Sequence, residues 1–142
     1  MIDIENLVCD RVFRAVNAAH SDAVCYSEYV EVPAAFPCVT LYEADNRSYR
    51  ESDDEQLSDH QVYVMYECNV YSDKENGKKA EAKEIADIVD ATMQSMKFSR
   101  EMRSQIPNQD RTIYRVTMRF EAVVGEPIVN NDGTTTLQMY RQ

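Results

Sequence analysis

Glycine is scarce in this chain: three in 142 residues, alongside two histidines and no tryptophan. So few glycines leave little material for the backbone cradles that wrap phosphates, and no P-loop, G-x-G-x-x-G or G-x-S-x-G occurs. His20 and His60 have no partner at i, i+4 spacing, which excludes the helical metal pair. Each reads as a surface or capping side chain. Cys9, Cys25, Cys38 and Cys68 are far apart, without the close ligand spacing of a zinc site. Long apolar runs are also missing. The best, Val62–Tyr66, is strand-sized, well below the roughly 18–20 residues of a membrane-spanning helix. Met1–Glu5 has neither a basic nor an apolar signal region. The expectation is a chain that stays in the cytoplasm unless a partner carries it out, with its thiols reduced and mostly buried.

Positive charge is in short supply as well. The net charge of −10 argues against a general nucleic-acid binder, which needs clustered Lys and Arg. The imbalance is uneven. Residues 41–60 hold Glu43, Asp45, Glu51, Asp53, Asp54, Glu55 and Asp59 against Arg47 and Arg50. Residues 97–119 hold Lys97, Arg100, Arg103, Arg111, Arg115 and Arg119 against Glu101 and Asp110. Taken singly, each is an ordinary solvated face. Together they allow copies of the chain to meet head to tail.

What is present is enough for one core. Ile4, Leu7, Val8, Val12, Ala15, Val16 and Ala19 recur at helical spacing, with Asp3 as the expected N-cap. Ala23 to Val32 reads as a strand, Pro33 and Pro37 bracket a bend, and Cys38 to about Ala44 reads as a second strand. Residues 45–59 lack apolar period and read as a long acidic loop. Val62, Val64, Tyr66, Cys68 and Val70 then alternate with Tyr63, Met65, Glu67, Asn69 and Tyr71, the first set facing the core.

Asn76-Gly77 marks a turn before a second amphipathic helix, about Lys78 to Met96, with Glu81, Glu84, Asp87 and Asp90 on its outer side. Phe98 to Ile106 and Arg111 to Val124 read as strands. In the latter, Thr112, Tyr114, Val116, Met118, Phe120, Ala122 and Val124 point inward; Arg111, Ile113, Arg115, Thr117, Arg119 and Glu121 point outward. The expected fold is α+β: a mostly antiparallel sheet with two amphipathic helices on one face. Residues 1–124 form a single domain, and 125–142 a C-terminal hairpin or arm with Asn-Asp-Gly at its turn.

No catalytic constellation emerges, so no enzyme is expected. Asp53, Asp54, Glu55 and Asp59 lack EF-hand spacing and its glycine, so no metal or other cofactor is expected. Tyr63, Met65 and Tyr71 lie on an outward strand face. Arg111, Arg115 and Arg119 line another, and Glu67 would pair with Arg115 or Arg119 if these strands are neighbours. Aromatics and arginines together favour a subunit or partner interface. Its candidate residues are Glu51, Asp53, Asp54, Glu55, Arg111, Arg115, Arg119, Tyr63 and Met65.

Three segments carry a resemblance: SEYVEVPAAFPCVTLYEADN, VMYECNVYSDKENGKKAEAKEIADIVDATMQSM and PNQDRTIYRVTMRFEAVVG. Phe36-Pro37 leads into a strand, Tyr66–Ser72 precedes the Gly77-Lys78-Lys79 helix start, and Pro107-Asn108 leads into Ile113-Tyr114-Arg115. In order and spacing, Ile2 to Val124 resembles the tail terminator or tail completion (minor capsid) proteins of long-tailed bacteriophages, and is similar to the lambda tail terminator. The resemblance implies a homo-hexameric ring that caps the tail tube protein and meets the head–tail connector or stopper protein. It further implies a place in the virion at the head–tail junction after assembly in the host cytoplasm. Viral DNA would pass through the lumen without specific binding, and no membrane is involved. Rival readings are another head–tail joining (stopper) protein, a tail tube protein or, from another class, an acidic DNA-mimic inhibitor.

Overall fold

The structure, a computed structural model, describes residues 2–48, 61–108 and 110–140. Helix α1 (Glu5–Ala19) buries Val8, Cys9, Val12 and Val16 along one stripe. Its cap position is Ile4 rather than Asp3, because the helix starts one residue later than its apolar pattern. Asp3 still acts there: its Oδ1 accepts the Glu5 N–H at 3.1 Å.

Strand β1 is short, only Val24–Tyr26, and it runs parallel to β2 (Cys38–Ser48). The expected strand to Val32 is therefore cut down. A parallel partner requires the chain to cross back before re-entering the sheet, and residues 27–37, with Pro33 and Pro37, make that crossing. Its lead-in to β2 contains a cis Phe36–Pro37 peptide. Strand β2 in turn runs past the expected end at Ala44. A β-bulge between Glu43 and Asp45 adds one residue, so the period-two pattern loses phase and resembles a loop.

Strand β3 (Val62–Ser72) pairs antiparallel with β2 on one side and β5 (Tyr114–Val124) on the other. Between them in sequence come α2 (Lys78–Ser95) and β4 (Ser99–Gln105). Gly77, at φ 101°, turns the chain into α2 with a backbone conformation that other residues resist. Arg111–Ile113 are not part of β5. Asp110 Oδ1 takes the Thr112 N–H at 2.9 Å and its hydroxyl at 2.6 Å, so that stretch is a turn and Thr112 is exposed, not inward.

The sheet order is β1-β2-β3-β5-β4. Strands β6 (Ile128–Val129) and β7 (Thr135–Thr136) form a hairpin, and β8 (Met139–Tyr140) returns to pair with Val123 and Val124 of β5. Gly125 N–H reaches Gln138 O at 2.8 Å, and a Cβ at Gly125 would meet the Tyr140 ring at 3.0 Å. The C-terminal residues thus fold back on their own chain.

Both helices pack on one face of the sheet. The core joins Val8, Val12 and Val16 of α1, Ile85, Val89 and Met93 of α2, and the expected inward set Val62, Val64, Tyr66, Cys68 and Val70 of β3. Each such side chain contributes about 1.5–3 kcal/mol of burial. One row across the sheet reads Glu43, Tyr66, Phe120, Arg100. A second bulge lies between Arg100 and Met102, so the strands flanking the β3–β5 pair, β2 and β4, are irregular at the same level.

Candidate functional site

The sheet face away from the helices carries the polar chemistry. Tyr42 (β2), Glu67 (β3) and Arg119 (β5) lie side by side across three strands. The Tyr42 hydroxyl donates to Glu67 Oε2, and Arg119 Nε donates to Glu67 Oε1 at 3.2 Å. The expected pairing of Glu67 with a β5 arginine therefore forms, and Arg119 is its partner. Burial, then the bond to the Glu67 carboxylate, pushes the Tyr42 phenol well above the ordinary tyrosine value, keeping it a neutral donor.

Arg115 goes elsewhere. Its Nε and Nη2 donate to Asn69 Oδ1 at 3.0 and 2.9 Å, and Thr117 Oγ1 donates to the same atom at 2.7 Å. A guanidinium only donates, so the amide oxygen must face it. Asn69 was placed on an outward face by alternation, as was Tyr71, yet both are buried. The crossing segment 27–37 supplies part of the cover: the Tyr71 hydroxyl donates to Val30 O at 3.4 Å, and Tyr29 meets Tyr42 edge-on at 6.4 Å. Sequence alternation assigns a residue to a face but does not show what lies over that face. The two prolines were the available signal.

At the other end of this face, Arg47 stacks over the Tyr63 ring at 4.4 Å and the Tyr63 hydroxyl donates to Glu121 Oε2. Burial, then that bond, pushes Tyr63 up to about 12. Met65 lies half-buried between Asp45 and Glu121 in the strand register. Of the candidate interface residues, the structure thus brings Tyr63, Met65, Arg115 and Arg119 onto one face. Arg111 stands apart on the turn before β5, and Glu51, Asp53, Asp54 and Glu55 lie outside the described residues.

Two further arginines are committed to carboxylates of their own chain. On the helix side, Arg100 pairs with Asp90, and Arg103 pairs with Asp87 at 2.6 Å. Asp90 was expected on the outer side of α2; it is buried, because β4 packs alongside and brings Arg100 to it. Glu43, counted with the acidic segment, turns inward beside Glu5. Burial raises its carboxyl above the ordinary value, against the partial relief of Asn46 Nδ2 at 3.3 Å.

Little here suggests reaction chemistry. Cys9, Cys38 and Cys68 are buried and Cys25 is half-buried. Burial pushes Cys9 up to about 12 and Cys25 and Cys38 to about 11, so all three are poor nucleophiles near neutral pH. His20 Nε2 sits 3.7 Å from Glu84 Oε1. Among the described residues no group of three His, Cys, Asp or Glu side chains could hold a metal ion. Among the described residues no helix is long and apolar enough to cross a membrane.

The polar groups of the face away from the helices bond to one another and shape the sheet surface. Residues 11–125 match the family described as Tail completion protein gp17, so the chain belongs to that family of bacteriophage tail completion proteins, which is structural and not enzymatic. The match ends at Gly125, ahead of the β6–β7 hairpin and β8. No curated protein matches the chain in sequence.

Proposed function

We propose that the chain works as a tail terminator: copies of it close into a ring, with six the expected number, that ends the tail tube and presents a surface to the head–tail connector or stopper protein. The observation that carries this reading is the family match across residues 11–125, which covers most of α1, all of α2 and strands β1 to β5. The two-layer scaffold supports it. A ring needs a rigid unit with two different patches, one meeting the other on the next copy, and this chain has unlike charge at separate places.

The net charge of −10 suits a conduit, because a surface short of cations does not hold passing viral DNA. The candidate interface residues Tyr63, Met65, Arg115 and Arg119 offer the face opposite the helices to a neighbour or to the tail tube protein. In this reading residues 1–124 act as the ring unit and 125–142 as an appended arm.

Negative-stain imaging of the purified chain, with and without tail tubes, tests the proposal. Discrete rings that cap tubes support it. Filaments would instead identify a tube protein, and a monomer that tightly binds a DNA-processing enzyme would identify a DNA mimic. A phage lacking the chain should make overlong tails or tails that fail to join heads.

A further inference from the structure

The crossing segment between β1 and β2 is held in place yet leaves its side chains unmet. The Tyr71 hydroxyl donates to Val30 O at 3.4 Å, and Tyr29 rests edge-on against Tyr42. Around these anchors Tyr29 is 52% exposed and Val32 77%, a costly display of apolar surface. Glu28 and Glu31 alternate with them, exposed, and their carboxylates have no partner among the described residues.

The complement lies at the other edge of the sheet. A groove of roughly 420 Å³ opens between α2 and β4, lined by Lys79, Lys83, Arg100, Arg103, Tyr114 and Val116 among others. Arg100 and Arg103 are engaged by Asp90 and Asp87. Lys79 and Lys83 are exposed, and their ammonium groups have no partner among the described residues. Lys79 stands in the first turn of α2, where the helix dipole disfavours a cation. Glu81, the acid of that turn, accepts the Ser72 hydroxyl at 2.7 Å and pairs with neither lysine.

We infer that residues 27–32 of one copy dock in the α2–β4 groove of the next, with Glu28 and Glu31 facing Lys79 and Lys83, and Tyr29 and Val32 turned toward Tyr114. The inference rests on the ring reading and names its contact. Unlike charge on the two patches supports it, and fixes which way round the copies meet. The strand register supports it too. Through Tyr71 and Tyr42, the latter paired with Glu67, the segment lies level with the Glu67–Tyr71 stretch of β3. Through Gln105 with Val116 and Arg100 with Phe120, the groove lies level with Val70 to Tyr66. The segment sits over β2 and β3 on the face away from the helices. The groove sits beside β4 on the helix face, about 14 Å across three strand spacings. With the sheet itself in between, one chain cannot join its own two patches. Because they share a level, the next copy is met with no step along the strands. A ring whose axis follows the strands closes on that condition, where a rise would give a helix.

Charge exchange tests this on the full-length chain by sedimentation velocity, with circular dichroism to confirm folding. Lys79→Glu/Lys83→Glu and Glu28→Lys/Glu31→Lys should each reduce the assembly to single copies where the native chain forms rings. An equal mixture of the two should restore rings, because in an alternating ring every groove meets a segment of opposite sign. Assembly by either variant alone, or no rescue on mixing, overturns the inference. Should the double reversals misfold, carbodiimide cross-linking of the native assembly decides. Links from Lys79 or Lys83 to Glu28 or Glu31 in species of two chains support the contact; their absence from those species overturns it. A native chain that stays monomeric even with tail tubes removes the ring reading itself, whereas rings that survive both reversals remove only this contact.

Discussion

The two faces of the sheet solve the burial problem in different ways. Under the helices the row Glu43, Tyr66, Phe120, Arg100 is apolar at its centre, with charge only at the strands on either side. On the opposite face Thr40, Asn69 and Thr117 form a polar row that is buried all the same, next to Tyr42, Glu67 and Arg119. The first face holds the fold together through contact area, which is forgiving of shape. The second depends on directional bonds: Asn69 Oδ1 takes three donors, while the Thr40 hydroxyl and Asn69 Nδ2 have no partner among the described residues.

Removing a large apolar side chain should separate the faces most sharply. Phe120→Ala should cost about 3–5 kcal/mol, read as a lower denaturant midpoint. A cost below about 1 kcal/mol would mean that the helix-covered face is not the packed one. Next comes Asn69→Ala, which strips three donors of one acceptor. It should cost about 1–3 kcal/mol, and no measurable change would show that Arg115 and Thr117 are solvated after all. Glu67→Gln is the mildest of these. Its ion pair with Arg119 is half open to solvent on the arginine side, so a loss of about 0.2–1 kcal/mol is expected by thermal melts at low salt.

A pH series sharpens the same contrast. The Glu43 carboxyl is raised above its unfolded value mainly by burial. Its stabilising, protonated form is therefore present in full below the ordinary glutamate pKa and is lost as pH rises through the higher folded value. Glu43→Gln should make the protein somewhat more stable at neutral pH and flatten the profile over that acidic window. An unchanged slope would show that Glu43 is solvated in the folded chain.

Much of this was legible beforehand, for reasons that particular residues make plain. The inward set of β3 and the stripes of both helices follow simple periods, and strand adjacency offers Glu67 either Arg115 or Arg119, of which the structure takes Arg119. Ala44 and Glu101 are where such reading stops, since one extra residue shifts the alternation without leaving any mark in composition. Asn69 and Asp90 show the other gap. Periodicity places them on a solvent side, and only the crossing segment and β4, brought there by tertiary packing, cover them.

The two bulges at one level of the sheet have an evolutionary consequence. Because the ladder skips Ala44, Asn46 still points beneath the helices while Asp45 and Arg47 still point outward. A chain shortened by Ala44 would keep every later side chain on its present side, merely straightening the strand. The same holds for Glu101 in β4. At these two exposed positions one residue can be lost without turning any later side chain to the other face.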